Sequence, residues 1–207
     1  MRRAGIYLRF YDVTFDSIEA RGLPENPSIL KNYGRVKEYA SNLSTEIKQG
    51  NGMILAGNYG TMKTTMAIAV LRKWLSTGES GIFVPMCSLI DNLFSMCGEE
   101  RRVYEKHIRD TRLLILDDLG GENTDQSWIL SKVDSIITER YNKMLATIVT
   151  TNLTQSGLET TYSGRILDRL KSTGYYLRFD GESERRPLQW SQIVSLDSMR
   201  KRRGKES

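Results

Sequence analysis

Histidine, cysteine and long apolar runs are what this 207-residue chain has least of. The single histidine, His107, has no candidate ligand partners and reads as a structural or surface residue. The two cysteines, Cys87 and Cys97, fit neither a zinc spacing nor a disulfide framework, and read as reduced core thiols of an intracellular protein. No run of about eighteen apolar residues is present, and Met1-Arg2-Arg3 lacks the apolar centre of a signal peptide. The expectation is a cytoplasmic chain with no membrane association. Internal repeats, low-complexity stretches and interdomain linkers are also missing. With 39% hydrophobic and 27% charged residues the chain is neither a polyelectrolyte nor a membrane protein. Folding at this length buries about two-thirds of the surface of the extended chain, enough for one real core.

The net charge is +5, and its placement matters more than its size. Arg200, Lys201, Arg202, Arg203 and Lys205 crowd the last eight residues against Glu206 alone. Such a tail suits phosphate, nucleic acid or an acidic surface, and is equally compatible with a frayed, solvated terminus. Glu99-Glu100-Arg101-Arg102 reads as a solvated helix face.

Apolar runs and helical patterns alternate from residue 26 onward. Asn26 can cap a helix with Pro27 in its first turn. Ile29, Leu30, Tyr33, Val36, Ala40, Leu43 and Ile47 then recur at helical spacing until Gly50. Met53–Ala56 reads as a buried strand, Thr64–Trp74 as a helix, and 82–84 as a second strand. Residues 88–110 form two short helices broken at Gly98. Leu113–Leu116 is a strand covered on both faces. A helix over 125–144 places Ile129, Val133, Ile136, Ile137 and Met144 inward. Ala146–Val149, a helix over 163–171 and the strand Tyr175–Phe179 complete the series. The aromatic side chains Tyr175, Tyr176 and Trp190 read as core, although each could stack on a base. Strands alternating with helices predict an α/β fold with a five-stranded parallel sheet covered by helices on both faces. The expected organisation is a lead-in arm over 1–25, a core over 26–180, and a C-terminal segment with the basic tail over 181–207.

The chemistry begins where the first strand ends. Gly57-Asn58-Tyr59-Gly60-Thr61-Met62-Lys63-Thr64 lies on a strand–loop–helix, the setting of a phosphate-binding P-loop. Its amides and helix N-terminus can cradle a triphosphate, Lys63 can reach the outer phosphates, and the Thr64 hydroxyl can ligate Mg²⁺. The strict pattern has glycine before the lysine; here it is Met62. A Cβ at that point either crowds the ligand or forces a strained φ. The expectation is therefore weak ATP binding and slow hydrolysis rather than loss of the site. A strand–turn–helix with a chance lysine is the bland alternative.

Asp117-Asp118 closes the apolar strand 113–116 in the manner of a Walker B pair: Asp117 holds Mg²⁺, and Asp118 orients or deprotonates the attacking water. The same residues also make an ordinary strand-to-turn ending. Loop and acidic pair stand at the C-terminal ends of strands of adjacent type, where open α/β sheets bind ligands. Thr150-Thr151-Asn152 brings an amide to the same edge. Arg165 and Arg169, four apart on one helix, share a face and suit phosphate held by a neighbouring subunit, or a surface ion pair.

As an ordered set these segments resemble the ATPase domain of the DnaC/DnaI-type helicase loaders and the similar IstB transposition ATPases, in the AAA+ superfamily of P-loop NTPases. The resemblance runs from about Ala4 to Leu170. It rests on Ala4–Phe10 and Thr14-Phe15, Gly57–Thr65, Leu113–Gly120, Thr150–Leu153 and Gly164–Leu170. It implies that Lys63 and Thr64 match Walker A, Thr65 completing the nucleotide-binding loop, and that Asp117 and Asp118 match Walker B. It further implies that Asn152 matches sensor 1, and that Arg169, beside Arg165, matches an arginine finger acting on the next protomer's ATP. Asp197-Ser198-Met199-Arg200 resembles a sensor 2 stretch, which makes Arg200 a candidate nucleotide contact beyond an apparent insertion over 181–196. ATP and Mg²⁺ are the cofactors the resemblance implies. A ring-shaped replicative helicase, single-stranded DNA held by the region Met86–Arg102, and a homo-oligomer through Arg165 and Arg169 are the implied partners. The IstB-like alternative acts on duplex DNA with a transposase. A third reading is an adaptor whose altered P-loop binds ATP poorly.

Overall fold

The structure, a computed structural model, describes residues 4–121, 127–162 and 164–184. Arg200, the basic tail, Trp190, Ser163 and the residues 185–196 lie outside them.

Five strands pair in parallel in the order β2-β3-β4-β1-β5. They are β1 (Gly52–Gly57), β2 (Gly81–Pro85), β3 (Leu113–Leu119), β4 (Ala146–Thr151) and β5 (Gly174–Phe179). Successive side chains of a strand point to opposite faces, and the core divides accordingly. Met53 and Leu55, Leu113 and Ile115, and Ile148 belong to one buried cluster, while Ile54 and Ala56, Leu114 and Leu116, and Val149 belong to the other. A continuous apolar run is the signature of this double burial.

The first cluster is covered by α1 (Phe15–Ala20), α2 (Pro27–Ser41), α3 (Leu43–Lys48) and α4 (Lys63–Leu75). The lead-in joins it, because Ala4, Ile6 and Val13 are buried there on either side of a short 3₁₀ turn at Leu8–Phe10. The other face carries α5 (Met86–Ser95), α6 (Gly98–Asp110), α7 (Ser127–Asn142), α8 (Gln155–Tyr162) and α9 (Gly164–Ser172). Among the described residues no helix is long and apolar enough to cross a membrane.

Several expectations change. The helix expected to run through Ile47 breaks at Asn42 (φ −103°, ψ 19°), whose amide caps α2 and whose type favours helix ends. β1 and β3 are not neighbours: β4 stands between them. Met144, expected inward, is 61% exposed, because it turns the chain from α7 into β4 at a φ of 52°. Cys87 and Cys97 are exposed free thiols, not core; Cys97 precedes α6 as its N-cap. Tyr175 is half exposed on the edge strand, with its hydroxyl bonded to Glu46, and Tyr176 is half-buried. Helices α1 and α8 had too few apolar residues for a legible period. Their starts are fixed instead by hydroxyl caps: Thr14 with Ser17 in a capping box, and Thr154 accepting from Gly157 N.

At the N-terminal edge of the sheet one cation is wholly enclosed. Arg140, on α7, donates to Ile108 O and Thr111 O (both 2.8 Å), Ala146 O (2.6 Å) and Thr147 Oγ1 (3.0 Å). It ties α7 to the α6–β3 turn and to the start of β4. Burial pulls its pKa down to about 9, still above neutrality, so the guanidinium keeps its charge.

Candidate functional site

The opposite edge of the sheet is built from three strand ends. β1 terminates at Gly57 (φ 140°), where an added Cβ would lie 2.0 Å from Phe179 O. The loop then turns through Gly60 (φ 76°), where a Cβ would meet Ser183 Oγ at 2.0 Å. Only glycine fits either place. Met62 follows at φ 67°, ψ 10°, a left-handed conformation that costs an L-residue roughly 1–2 kcal/mol. It also opens α4, so the unpaired amides of that helix's first turn face the loop.

Lys63 is 6% exposed. Its ammonium donates to Gly57 O (2.8 Å), Asn58 O (2.6 Å) and Asn152 Oδ1 (3.0 Å). Carbonyl oxygens thus hold the charge where phosphate oxygens could replace them. Asn58 and Tyr59 are exposed, Gly57, Gly60 and Thr65 half-buried, and Thr61 is buried with its hydroxyl on Asn58 O. The chain beyond β5 runs beside the loop, with Asn58 Nδ2 donating to Gly181 O (2.9 Å) and Glu184 N to Gly60 O (3.0 Å).

The two carboxylates sit in a bulge. β3 pairs Leu116 with Val149 and then Leu119 with Thr151, so Asp117 and Asp118 together oppose the single Thr150. Asp118 takes φ 60°, the second left-handed non-glycine residue at this edge. Thr64 Oγ1 (2.8 Å) and Thr150 Oγ1 (2.6 Å) both donate to Asp117 Oδ1. Thr150 Oγ1 also accepts from Asp118 N (2.9 Å), and Asn152 Nδ2 donates to Asp118 Oδ1 (2.6 Å). β4, inserted between β1 and β3, is what closes this network. The bridging role of Thr150 is invisible in sequence, because it depends on that strand order.

Burial pushes the Asp117 carboxyl above the usual aspartate range; the two threonine hydrogen bonds oppose this, Asp118 adds to it, and Lys63 counters it. A carboxylate held in this way gains from a cation beside it. Thr64 and Asp117, already sharing a hydrogen bond, fit Mg²⁺, an ion that takes one or two protein oxygens and fills its octahedron with water and phosphate. Among the described residues no group of three or more acidic, histidine or cysteine side chains could hold a metal on its own.

Arg165 and Arg169 lie elsewhere. Arg169 Nη1 pairs with Asp134 Oδ1 on α7 (3.0 Å) and bonds Thr138 Oγ1, while Arg165 is exposed. Neither hydrogen-bonds the loop 57–65 or the Asp117–Asp118 pair. Between the region Met86–Arg102 and α7 the structure adds an aromatic pair that the sequence did not reveal. Phe94, 62% exposed, meets Trp128 edge-on at 4.7 Å over a cavity of about 600 Å³ bordered by Arg101 and Lys132, both paired with Glu105.

Residues 33–191 match the model of the family described as IstB-like ATP binding protein. The chain belongs to this family. The chain is also 25% identical over 177 residues to the replicative helicase loader DnaI of Bacillus subtilis (strain 168), covering 78% of this chain and 56% of that one. It therefore spans little more than half the length of that relative. Among solved structures, the DnaC helicase loader superposes with a TM-score of 0.70 at 24% identity, over 84% of this chain and all of that one. The replication initiator DnaA bound to AMPPCP and single-stranded DNA superposes with a TM-score of 0.65 at 17% identity, over 83% of this chain and 51% of that one. At these identities the structures speak for the fold alone, and it is that of AAA+ P-loop ATPases. The IstB-like assignment makes the loop 57–65 part of an ATP-binding domain.

Proposed function

We propose that this chain is the ATPase module of a replicative helicase loader, binding ATP·Mg²⁺ between protomers and coupling it to a ring helicase and single-stranded DNA. The observation that carries the reading is the continuous network Lys63–Asn152–Asp118 and Thr64–Asp117–Thr150 across three strand ends. Lys63 exchanges its carbonyl partners for phosphate oxygens. Thr64 and Asp117 hold Mg²⁺, which screens phosphate charge. Asp118 accepts the proton of the attacking water, and Asn152, bonded to both Lys63 and Asp118, couples phosphate position to the base. The similarity to DnaI supports the helicase as partner.

Arg169 acts in trans. In the single chain it rests on Asp134, and engagement exchanges that carboxylate for the neighbour's phosphate. Single-stranded DNA lies along α5 and the start of α7, with a base stacked on the exposed face of Phe94. The basic tail adds phosphate contacts.

Titration with ATP, with and without Mg²⁺, against Lys63→Ala and Asp117→Ala tests the site; equal affinity in all three proteins refutes it. Arg169→Ala should bind ATP and lose hydrolysis by about 10³-fold. Mixed with Lys63→Ala it should regain activity at mixed interfaces; a dead mixture of proven hetero-oligomers refutes the trans role. The match to an IstB-like family favours a second reading, an ATPase acting on duplex DNA. Preference for duplex over single strands, with no helicase capture, selects it.

A further inference from the structure

At the end of α4 remote from the loop, a cavity of about 810 Å³ opens between α1, α2, α4 and the start of β2. Its position separates it from the nucleotide site: Arg72 stands nine residues after Lys63 on one straight helix, about 14 Å along the axis. Phe15, Ala69 and Leu75 contribute apolar wall, and Arg72, Lys73 and Lys37 bring positive charge, with Asp16 the single carboxylate of the lining.

Arg72 is the unusual member. Its Nε and Nη1 are buried and have no hydrogen-bond partner. A guanidinium N–H withdrawn from water without an acceptor is costly, which is why nearly all buried polar groups are paired. Arg140, more completely enclosed, is bonded to four oxygens, whereas the two buried nitrogens of the half-buried Arg72 have none. Lys37 is paired with Glu19, so the charge the lining leaves unbalanced is that of Arg72 and Lys73. The lining therefore holds more cationic charge than Asp16 balances, in a hollow of the size that takes small ligands.

We propose that this cavity binds a small amphipathic oxyanion, a carboxylate or phosphate monoester on an apolar body, with its charge on Arg72 and Lys73 and its apolar part against Phe15, Ala69 and Leu75. The oxyanion supplies the acceptors that Arg72 lacks. The apolar wall selects against bare inorganic ions.

The test uses the full chain and three probes: phenyl phosphate, hydrocinnamate and inorganic phosphate. At ten times its dissociation constant, at least one aromatic probe should raise the melting temperature by about 3 °C or more, with inorganic phosphate well behind. Whichever aromatic probe is tighter identifies the source as phosphate or carboxylate. Lys63→Ala should keep the response, since the site is independent of the P-loop. Arg72→Leu should abolish it while raising the ligand-free melting temperature, because the unpaired guanidinium is gone. Should Arg72→Leu fail to fold, Lys73→Gln decides instead, with affinity for the tighter probe falling several-fold. The proposal is overturned if neither aromatic probe shifts the parent. It is also overturned if the response disappears in Lys63→Ala, or survives intact in Arg72→Leu or, failing that variant, in Lys73→Gln.

Discussion

Lys63 and Arg140 are two enclosed cations at opposite ends of one sheet, both bonded to backbone carbonyls, and they serve opposite ends. Arg140 spreads its donors over α6, the turn into β3, and β4 in a fixed planar fork that ties those parts together. Lys63 has a flexible stem, and the carbonyls it holds belong to its own loop, so they can be given up to a phosphate without unfolding anything. The surroundings repeat the contrast. Near Lys63, Met62 and Asp118 both hold left-handed conformations and Asp117 is a carboxylate in the wrong place for its charge. The Arg140 edge has one left-handed residue of its own, Met144, so the difference between the two edges lies in the buried carboxylate rather than in backbone strain alone.

The largest effect should come from the structural cation. Arg140→Met strands four acceptors and should cost about 3–5 kcal/mol, a drop of roughly 10 °C in melting temperature, with nucleotide affinity in the surviving folded protein unchanged. A loss below about 1 kcal/mol would break the comparison. Lys63→Met should do the reverse, with hydrolysis falling about 10²–10³-fold while the melting temperature holds or rises. Calorimetry beside a phosphate-release assay reads both.

Met62→Gly relieves the left-handed strain and should improve ATP affinity or turnover roughly five- to thirtyfold. Identical constants in the two proteins would mean the loop carries methionine at no cost. The smallest effect concerns Asp117. Its pKa is raised in the folded state, so the ionised form penalises folding. The penalty is complete at neutral pH and fades as pH falls through the raised value toward the ordinary aspartate range. Asp117→Asn, whose amide oxygen can accept from both threonines, should therefore raise stability at neutral pH and leave it unchanged below the ordinary aspartate range. Unfolding curves in the two pH ranges check the sign.

Much of this was legible in the residues. The buried strands announce themselves as apolar runs at Met53–Ala56 and Leu113–Leu116, and Asn26-Pro27 marks a helix start by chemistry that acts within a few residues. Gly57, Lys63, Thr64 and the acidic pair stand where strand ends deliver them. Helix α8 stayed hidden because two buried residues, Leu158 and Tyr162, make no period.

Sequence by itself determined the strands, the longer helices and the chemical identity of the loop, since capping, periodicity and strand burial are local properties of neighbouring residues. Only the tertiary structure decided that β4 enters between β1 and β3, so that Thr150 joins the two aspartates and Asn152 meets Lys63. It alone paired Arg169 with Asp134, enclosed Arg140 and left Arg72 without an acceptor. Each of those outcomes depends on which distant polar group arrives within hydrogen-bond range, and that distance is set by packing, not by position along the chain.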